Sequence, residues 1–404
     1  MNQPTFRCLM IAGVLVCGLA QRILLAQQDE PGPTAVTRVR FATFNVSLFR
    51  EAAGDLAKEL ESGQSEAAAR VAEVIQRVNP DVILLNEFDY EESGTALAAF
   101  RQKFLAVGQR GAAPIEFPHV FTGAVNTGVD SGLDLNRDGK LGTPDDAFGF
   151  GRYPGQYGMV VLSKYPIATA PRTFQKFLWK DLPDRLWPQV PETGEPYYSA
   201  ETRAAFRLSS KSHWDVPMEI DGRIVHFLVA HPTPPVFDGR EDRNGRRNHD
   251  EIRLWQAYID GADYLYDDAG VRGGLTKDAL FVVAGDLNAD PEDGDSYDAA
   301  ARQLLDHPRI HRSPVPKSQG GLFASQTSGG ANDTHHGDAA CDTADFNDRS
   351  VGNLRIDYVL PCTRLEVVDC GVFWPTPDEP LADLAGISDH HLVWVDVELP
   401  KTLR

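Results

Sequence analysis

FVVAGDLNADP (Phe281–Pro291) is an apolar run that passes through Gly285 and stops at Asp286, Leu287 and Asn288. Side chains at i and i+2 of a strand share a side. The pattern therefore predicts a buried strand ending with a carboxylate and a carboxamide on one face. Asp and Asn also favour turns, so one such ending carries little by itself. What matters is whether other strands end the same way.

They do. VRFATFNV reaches Asn45, DVILLNE reaches Glu87 and HFLVAH reaches His231. LRIDYVL carries Asp357, and ISDHHLVW opens a last strand with Asp389 and His390. If these ends converge, they place carboxylates, carboxamides and two imidazoles around one cleft. Oxygen donors of this kind suit Mg²⁺, which keeps several waters and takes one or two carboxylates plus a substrate phosphate. Glu87 is the expected direct ligand. Asn45, Asp286, Asn288 and Asp389 are positioned to bind the metal or hold a phosphate. His390, oriented by Asp389 or Asp357, suits water activation, and His231 suits donation to the phosphate or the leaving oxygen.

The ordered pattern FNV…NEF…AHP…GDLNADP…RIDYVL…SDHH resembles the endonuclease/exonuclease/phosphatase superfamily, the fold of pancreatic-type deoxyribonuclease and bacterial sphingomyelinase. The resemblance spans roughly Val39 to Leu399. It implies an α/β four-layer sandwich with two central mixed, mostly antiparallel sheets flanked by helices. It also implies hydrolysis of phosphate esters with Mg²⁺ or Mn²⁺. By resemblance, Glu87 is the metal carboxylate with Asn45 beside it and Asp389 near. Asp286 and Asn288 are the positioners, and His390 is the general base with Asp357 or Asp389. His231 stands where the deoxyribonuclease-like and sphingomyelinase-like branches carry a second catalytic histidine. The second histidine of SDHH, His391, shares a strand side with Val393 and Val395 and is read as packing.

The 404 residues carry a net charge of -19, which suits long polyanions poorly because phosphate contacts need Lys and Arg. A local basic rim or a bound cation can override it, so nucleic acid is disfavoured rather than excluded. Residues 1–26 read as an export signal: Arg7, then the apolar run Cys8–Ala20, with small residues at Gly18, Ala20 and Ala26. Its removal takes two arginines and no acids, leaving -21. Residues 27–37 are a Pro/Gly linker, and 38–400 form one domain without a further membrane span. The protein is expected to be a secreted or periplasmic monomer. Of the remaining Cys341, Cys362 and Cys370, the favoured disulfide is Cys362–Cys370, which flank a predicted hairpin.

Within an insertion at about 127–150, DLNRDGKLGTPD places Asp134, Asn136, Asp138, Gly139 and Asp145 at positions 1, 3, 5, 6 and 12 of a Ca²⁺ loop. Lys140 would add its carbonyl, and the ion would be structural. Arg246 and Arg247, in the basic stretch after His231, are candidates for the substrate phosphate. The aromatic segment 168–205 could serve a lipid, a base or the core, and His213 beside Trp214 is read as strand packing. Helices are expected at Glu66–Val78 and Asn248–Ile259, the latter capped by Asn248. Asp221-Gly222 predicts a hairpin turn.

The leading reading is an exported metal-dependent phosphodiesterase. Its rivals are a phosphomonoesterase acting on inositol phosphates or nucleotides, and a non-catalytic Ca²⁺-stabilised binding module.

Overall fold

The computed structural model describes Met1 and residues 37–400. The expected signal and nearly all of the linker lie outside the described residues. The strands are β1 (Arg38–Leu48), β2 (Val82–Phe88), β3 (His119–Thr122), β4 (Met159–Ser163), β5 (Arg172–Thr173), β6 (His213–Ile220), β7 (Arg223–Ala230), β8 (Leu280–Asp286), β9 (Ala344–Asp345), β10 (Asn353–Leu354), β11 (Asp357–Pro361), β12 (Glu366–Val372) and β13 (Val393–Glu398). The helices that matter for the site are α1 (Asp55–Ser62), α2 (Glu66–Val78), α3 (Thr95–Phe100), α4 (Ala200–Ala205) and α5 (Arg243–Ile259).

One sheet has the order β12-β13-β1-β2-β4-β3, and the other β11-β8-β7-β6-β5. Within them β1/β2 and β7/β8 are parallel and the other pairs antiparallel. A parallel pair needs a crossover. α1 and α2 provide it between β1 and β2, and α5 between β7 and β8.

Alternation along β1 shows why there are four layers. Val39 and Phe41 join the core between the sheets, with Leu84, Val161, Val216 and Phe227. Ala42, Phe44 and Val46 join a second core with Val71, Ile75 and Phe100 of the first helices. Successive side chains point to opposite faces, so one strand feeds two cores. α5 buries Ile252, Trp255 and Tyr258 in the inter-sheet cluster's continuation over β6–β8. The layers are thus helices, sheet, sheet, helix, as expected.

The Asp221-Gly222 turn closes the β6–β7 hairpin, with Ile220 opposite Arg223. Both turn residues have positive φ, 50° and 69°, which matches the right-handed strand twist. In segment 168–205, Phe174, Phe177, Trp179 and Tyr198 are buried in the core, so its aromatics pack rather than wait for a ligand.

Two expectations need correction. α5 begins at Arg243, with Asp242 before it, not at Asn248. Asn248 is fully buried inside the helix and bonds neighbouring loops. Cys341, Cys362 and Cys370 are all free thiols. Cys362 follows β11 in one sheet while Cys370 lies in β12 of the other, so no hairpin joins them. Among the described residues, no helix is long and apolar enough to cross a membrane.

Candidate active site

The polar strand ends meet because of the topology. In the parallel pairs, the regular register of β1 and β2 stops at Asn45 opposite Asn86, next to Glu87, while His231 directly follows β7 and Asp286 ends β8. β11 is antiparallel to β8, so its first residue, Asp357, lies opposite Asp286. His390 enters just before β13 and bridges to Ala344. The strand ends of the two sheets therefore bring together Asn45, His231, Asp286, Asp357 and His390, with Glu87 alongside.

Asp286 is the hub. Asn45 Nδ2 donates to its Oδ2 at 3.1 Å. His231 Nε2 lies 3.4 Å and His390 Nε2 3.7 Å from the same oxygen. Asp286 Oδ1 accepts the backbone N–H of Asn288 at 3.0 Å. That bond closes an Asx turn. It ends the strand at Asp286 and puts Asn288 in the left-handed region (φ 52°), its amide donating to Pro232 O at 3.2 Å. Asn288 therefore does not extend the strand face of Asp286 as the alternation predicted. Gly285 (φ 155°) allows the close approach: a Cβ there would sit 2.0 Å from Ala230 O.

His390 Nδ1 shares a 2.9 Å hydrogen bond with Asp357 Oδ2, which also accepts from Thr343 Oγ1 at 2.9 Å. Asp357, not Asp389, is thus the partner. Asp389 is exposed at the rim, where Oδ1 accepts from Ser47 Oγ at 3.4 Å. It does not join the cluster as the expected metal ligand, because neighbouring residues entering an extended segment point opposite ways. Burial by itself would lower the His390 pKa, but the anions of Asp357 and Asp286 and the hydrogen bond hold it well above its usual value. Burial, with Lys211 and His390 nearby, drives His231 well below its usual value, so it is neutral. Its Nδ1 is buried with no hydrogen-bond partner. Burial pushes the Asp286 carboxyl up to about 6, with His390 opposing.

Glu87 takes a positive φ of 59°, uncommon for a residue with a Cβ. Asp89 frames it, accepting from Arg50 N, Tyr153 Oη and Tyr157 N. Burial raises the Glu87 pKa, partly offset by His390 and Lys211 and by a bond from Asn45. Lys211 is a residue that motif reading missed. It is buried, and burial lowers its pKa against the pull of Glu87, Glu251 and Asp286. Its only sequence signal was a polar SSKSH stretch between apolar runs. Thr343, from a Gly/Asp/Ser-rich loop, left no signal at all.

Asp286, Asp357 and His390 each offer a ligand atom within 4.8 Å of the others. The donor set fits a hard divalent cation, with Asp357 Oδ1 buried and unpartnered and the Glu87 carboxylate and Asn45 oxygen alongside.

The basic residues fall differently. Arg247 is buried and gives its guanidinium to the carbonyls of Leu208, Phe148 and Arg207. Arg246 lies over the Tyr297 ring at 4.6 Å. Arg247 is therefore a structural clip rather than a free phosphate ligand. In the insertion, Asp134 accepts from Asp138 N and Gly139 N, and Asp138 accepts from Lys140 N. Asn136 accepts from Asp138 N. Asp145 is exposed beside the cleft, and its neighbour Asp146, fully buried, closes the loop by accepting from Leu135 N and Thr143 N. The loop's acids do not gather as closely as the Asp286 group.

The Endonuclease/Exonuclease/phosphatase family model matches residues 42–390. The chain belongs to this family. No curated protein matches the chain significantly. Among solved structures, it is similar to an endonuclease/exonuclease/phosphatase from Beutenbergia cavernae DSM 12333, with 18% identity over 90% of this chain and 72% of that one, TM-score 0.47. A sphingomyelinase C from Streptomyces griseocarneus shows 15% identity over 90% and 100%, TM-score 0.44. A beta toxin from Staphylococcus aureus with bound magnesium ions shows 12% identity over 89% and 99%, TM-score 0.46. The endonuclease/exonuclease/phosphatase family acts on phosphate esters, and the Asp286 cluster lies inside the matched span.

Proposed function

We propose that the protein is a metal-dependent phosphodiesterase. The observation that carries this reading is the shared Asp286 carboxylate, reached by Asn45, His231 and His390 from two sheets and buried with Asp357 behind it. Glu87, Asn45 and Asp286 would hold Mg²⁺ or Mn²⁺, and that cation, when bound, supplies charge stabilisation to the phosphate. A cation held beside Asp286 would offset the anions that keep His390 protonated, and His390, steered by Asp357, would then accept the proton of the attacking water. His231 presents a neutral ring to the phosphate or the leaving oxygen, and Asn288 orients the phosphate.

Three further assignments belong to this reading. The chain is exported, which the Arg7–Ala20 pattern supports. The 134–145 loop takes Ca²⁺, supported by its five-position spacing and its inward carboxylate turns. The enzyme acts as a monomer.

Hydrolysis of bis-p-nitrophenyl phosphate and p-nitrophenyl phosphate, with Mg²⁺, Mn²⁺ and Ca²⁺ in turn, tests the central claim. Wild type is expected to cleave the diester with metal, and His390→Ala and Asp286→Ala to lose about 10²–10⁴ in kcat. Cleavage of the monoester alone would replace the proposal with a phosphomonoesterase. No turnover with any metal would favour the binding module.

A further inference from the structure

A cavity of about 490 Å³ opens directly beside Glu87 and Lys211. Its size lies in the range of small-ligand sites. The insertion contributes Leu135, Ala147 and Phe150 to its lining, and the loop after His231 contributes Pro234, Val236 and Phe237. Tyr198 and Phe206, both buried, also line it. Two of these side chains are left in water: Phe150 is 53% and Phe237 87% exposed. Phe237 also holds a positive φ of 63°, rare for a bulky side chain and typical of functional segments.

Both arginines at this cavity are already committed, which leaves Lys211, at the Glu87 site, as the remaining cation of its lining. Arg243 is paired with Glu241, and Arg247 is spent on backbone carbonyls. Asp145 and Glu87 add negative charge to the lining. This is not a track for a polyanion. Its exposed lining is more apolar than polar by area, with Asn136, Ser210, Thr233 and Asn244 among the apolar side chains, and it includes Glu87 and Lys211 of the phosphate-handling site.

We propose that this pocket receives an apolar group of the substrate, so that the esters cleaved carry a compact aryl or short aliphatic substituent on the side facing Glu87. The proposal rests on the phosphoesterase reading of the Asp286 site. It assigns the insertion a role in substrate selection, because Leu135, Ala147 and Phe150 belong to it.

Binding of methyl-, phenyl- and hexylphosphonate to the full chain with Mg²⁺, followed by titration calorimetry, separates the pocket from the chemistry. Phenyl- or hexylphosphonate is expected to bind at least about tenfold tighter than methylphosphonate, since each buried methylene contributes. The preference should fall to roughly threefold or less in the double variant Phe150→Ala/Phe237→Ala and in Val236→Ser, with methylphosphonate affinity unchanged. A phenyl preference points to an aryl ester and a hexyl preference to an aliphatic or lipid one. Equal binding of all three, or a preference untouched in both variants, overturns the pocket and leaves the hydrolase reading standing. Binding of none of them overturns the pocket together with the phosphate site beneath it.

Discussion

In the proposed mechanism Asp357 serves as the anion behind His390, so its removal should act on turnover rather than on substrate capture. Asp357→Asn keeps the shape but loses the anion that orients the ring. Its kcat is expected to fall about 10²–10³-fold with KM little changed, in steady-state diester hydrolysis. An equal rise in KM would show a binding role instead. His213 gives a second test, of stability. It is buried, with Nδ1 on Ser209 Oγ at 2.7 Å and Nε2 on Glu251 O at 2.9 Å, and burial lowers its pKa to about 4. The folded form binds its proton later than the unfolded chain. The stability it contributes is therefore complete above about 6.5 and lost as pH falls toward 4. The stability gap between wild type and His213→Gln should narrow by roughly 3 kcal/mol across that window in urea titrations. A gap constant with pH would show that His213 is not neutral in the fold. The residues legible in the sequence, Asn45, Glu87, His231, Asp286, Asp357 and His390, share a local signature: each sits at or near the end of an apolar run. Lys211 and Thr343 were hidden because their roles come only from what faces them.

At the scale of elements, α5 ties the site together through its interior. Asn248 Nδ2 donates to Thr233 O and Leu287 O, both at 2.8 Å, beside His231 and Asn288 respectively. Glu251 accepts from Ser210 N and Thr233 N. Asn248→Leu leaves two buried carbonyls without donors. Unfolding free energy should drop by about 2–4 kcal/mol in denaturant titrations, with activity falling even where the protein stays folded. A drop near zero would mean that water replaces the amide. Asn is a strong cap and the Arg-rich turn before it reads as a loop, yet the helix starts at Arg243, where Asp238 Oδ2 accepts the first-turn backbone N–H of Asn244 at 2.6 Å. The 134–145 loop is the second element with a test. Chelation should lower Tm by a few degrees and added Ca²⁺ restore it, while Asp134→Ala should show neither response. An unchanged Tm in wild type would reduce the loop to an acidic turn held by Asp146.

For the whole molecule, the two sheets place Cys362 and Cys370 in different layers. All three thiols of the domain should therefore alkylate in denaturant without reductant, by mass spectrometry of the intact protein. Two blocked thiols would mean that a disulfide forms after all. The net charge and the apolar cleft point the same way, toward small or apolar esters rather than long polyanions, although the cleft was invisible in the sequence. Its walls come from residues around 135–150, 198–206 and 234–237, which only the fold brings together.

Periodicity and turn chemistry are local, so the chain alone determined the strands, the Asp221-Gly222 hairpin, the polar ends and the family. The four-layer architecture followed from the family resemblance, and the two cores fed by β1 give it its physical basis in the structure. Pairing across long separations is not local. Only the tertiary structure decided that Asp357 rather than Asp389 backs His390, that Arg247 is a clip, and that Lys211 faces Glu87. The physical reason is burial: a side chain's charge, partner and pKa follow from what excludes water around it, and here those neighbours lie tens to hundreds of residues away in the chain.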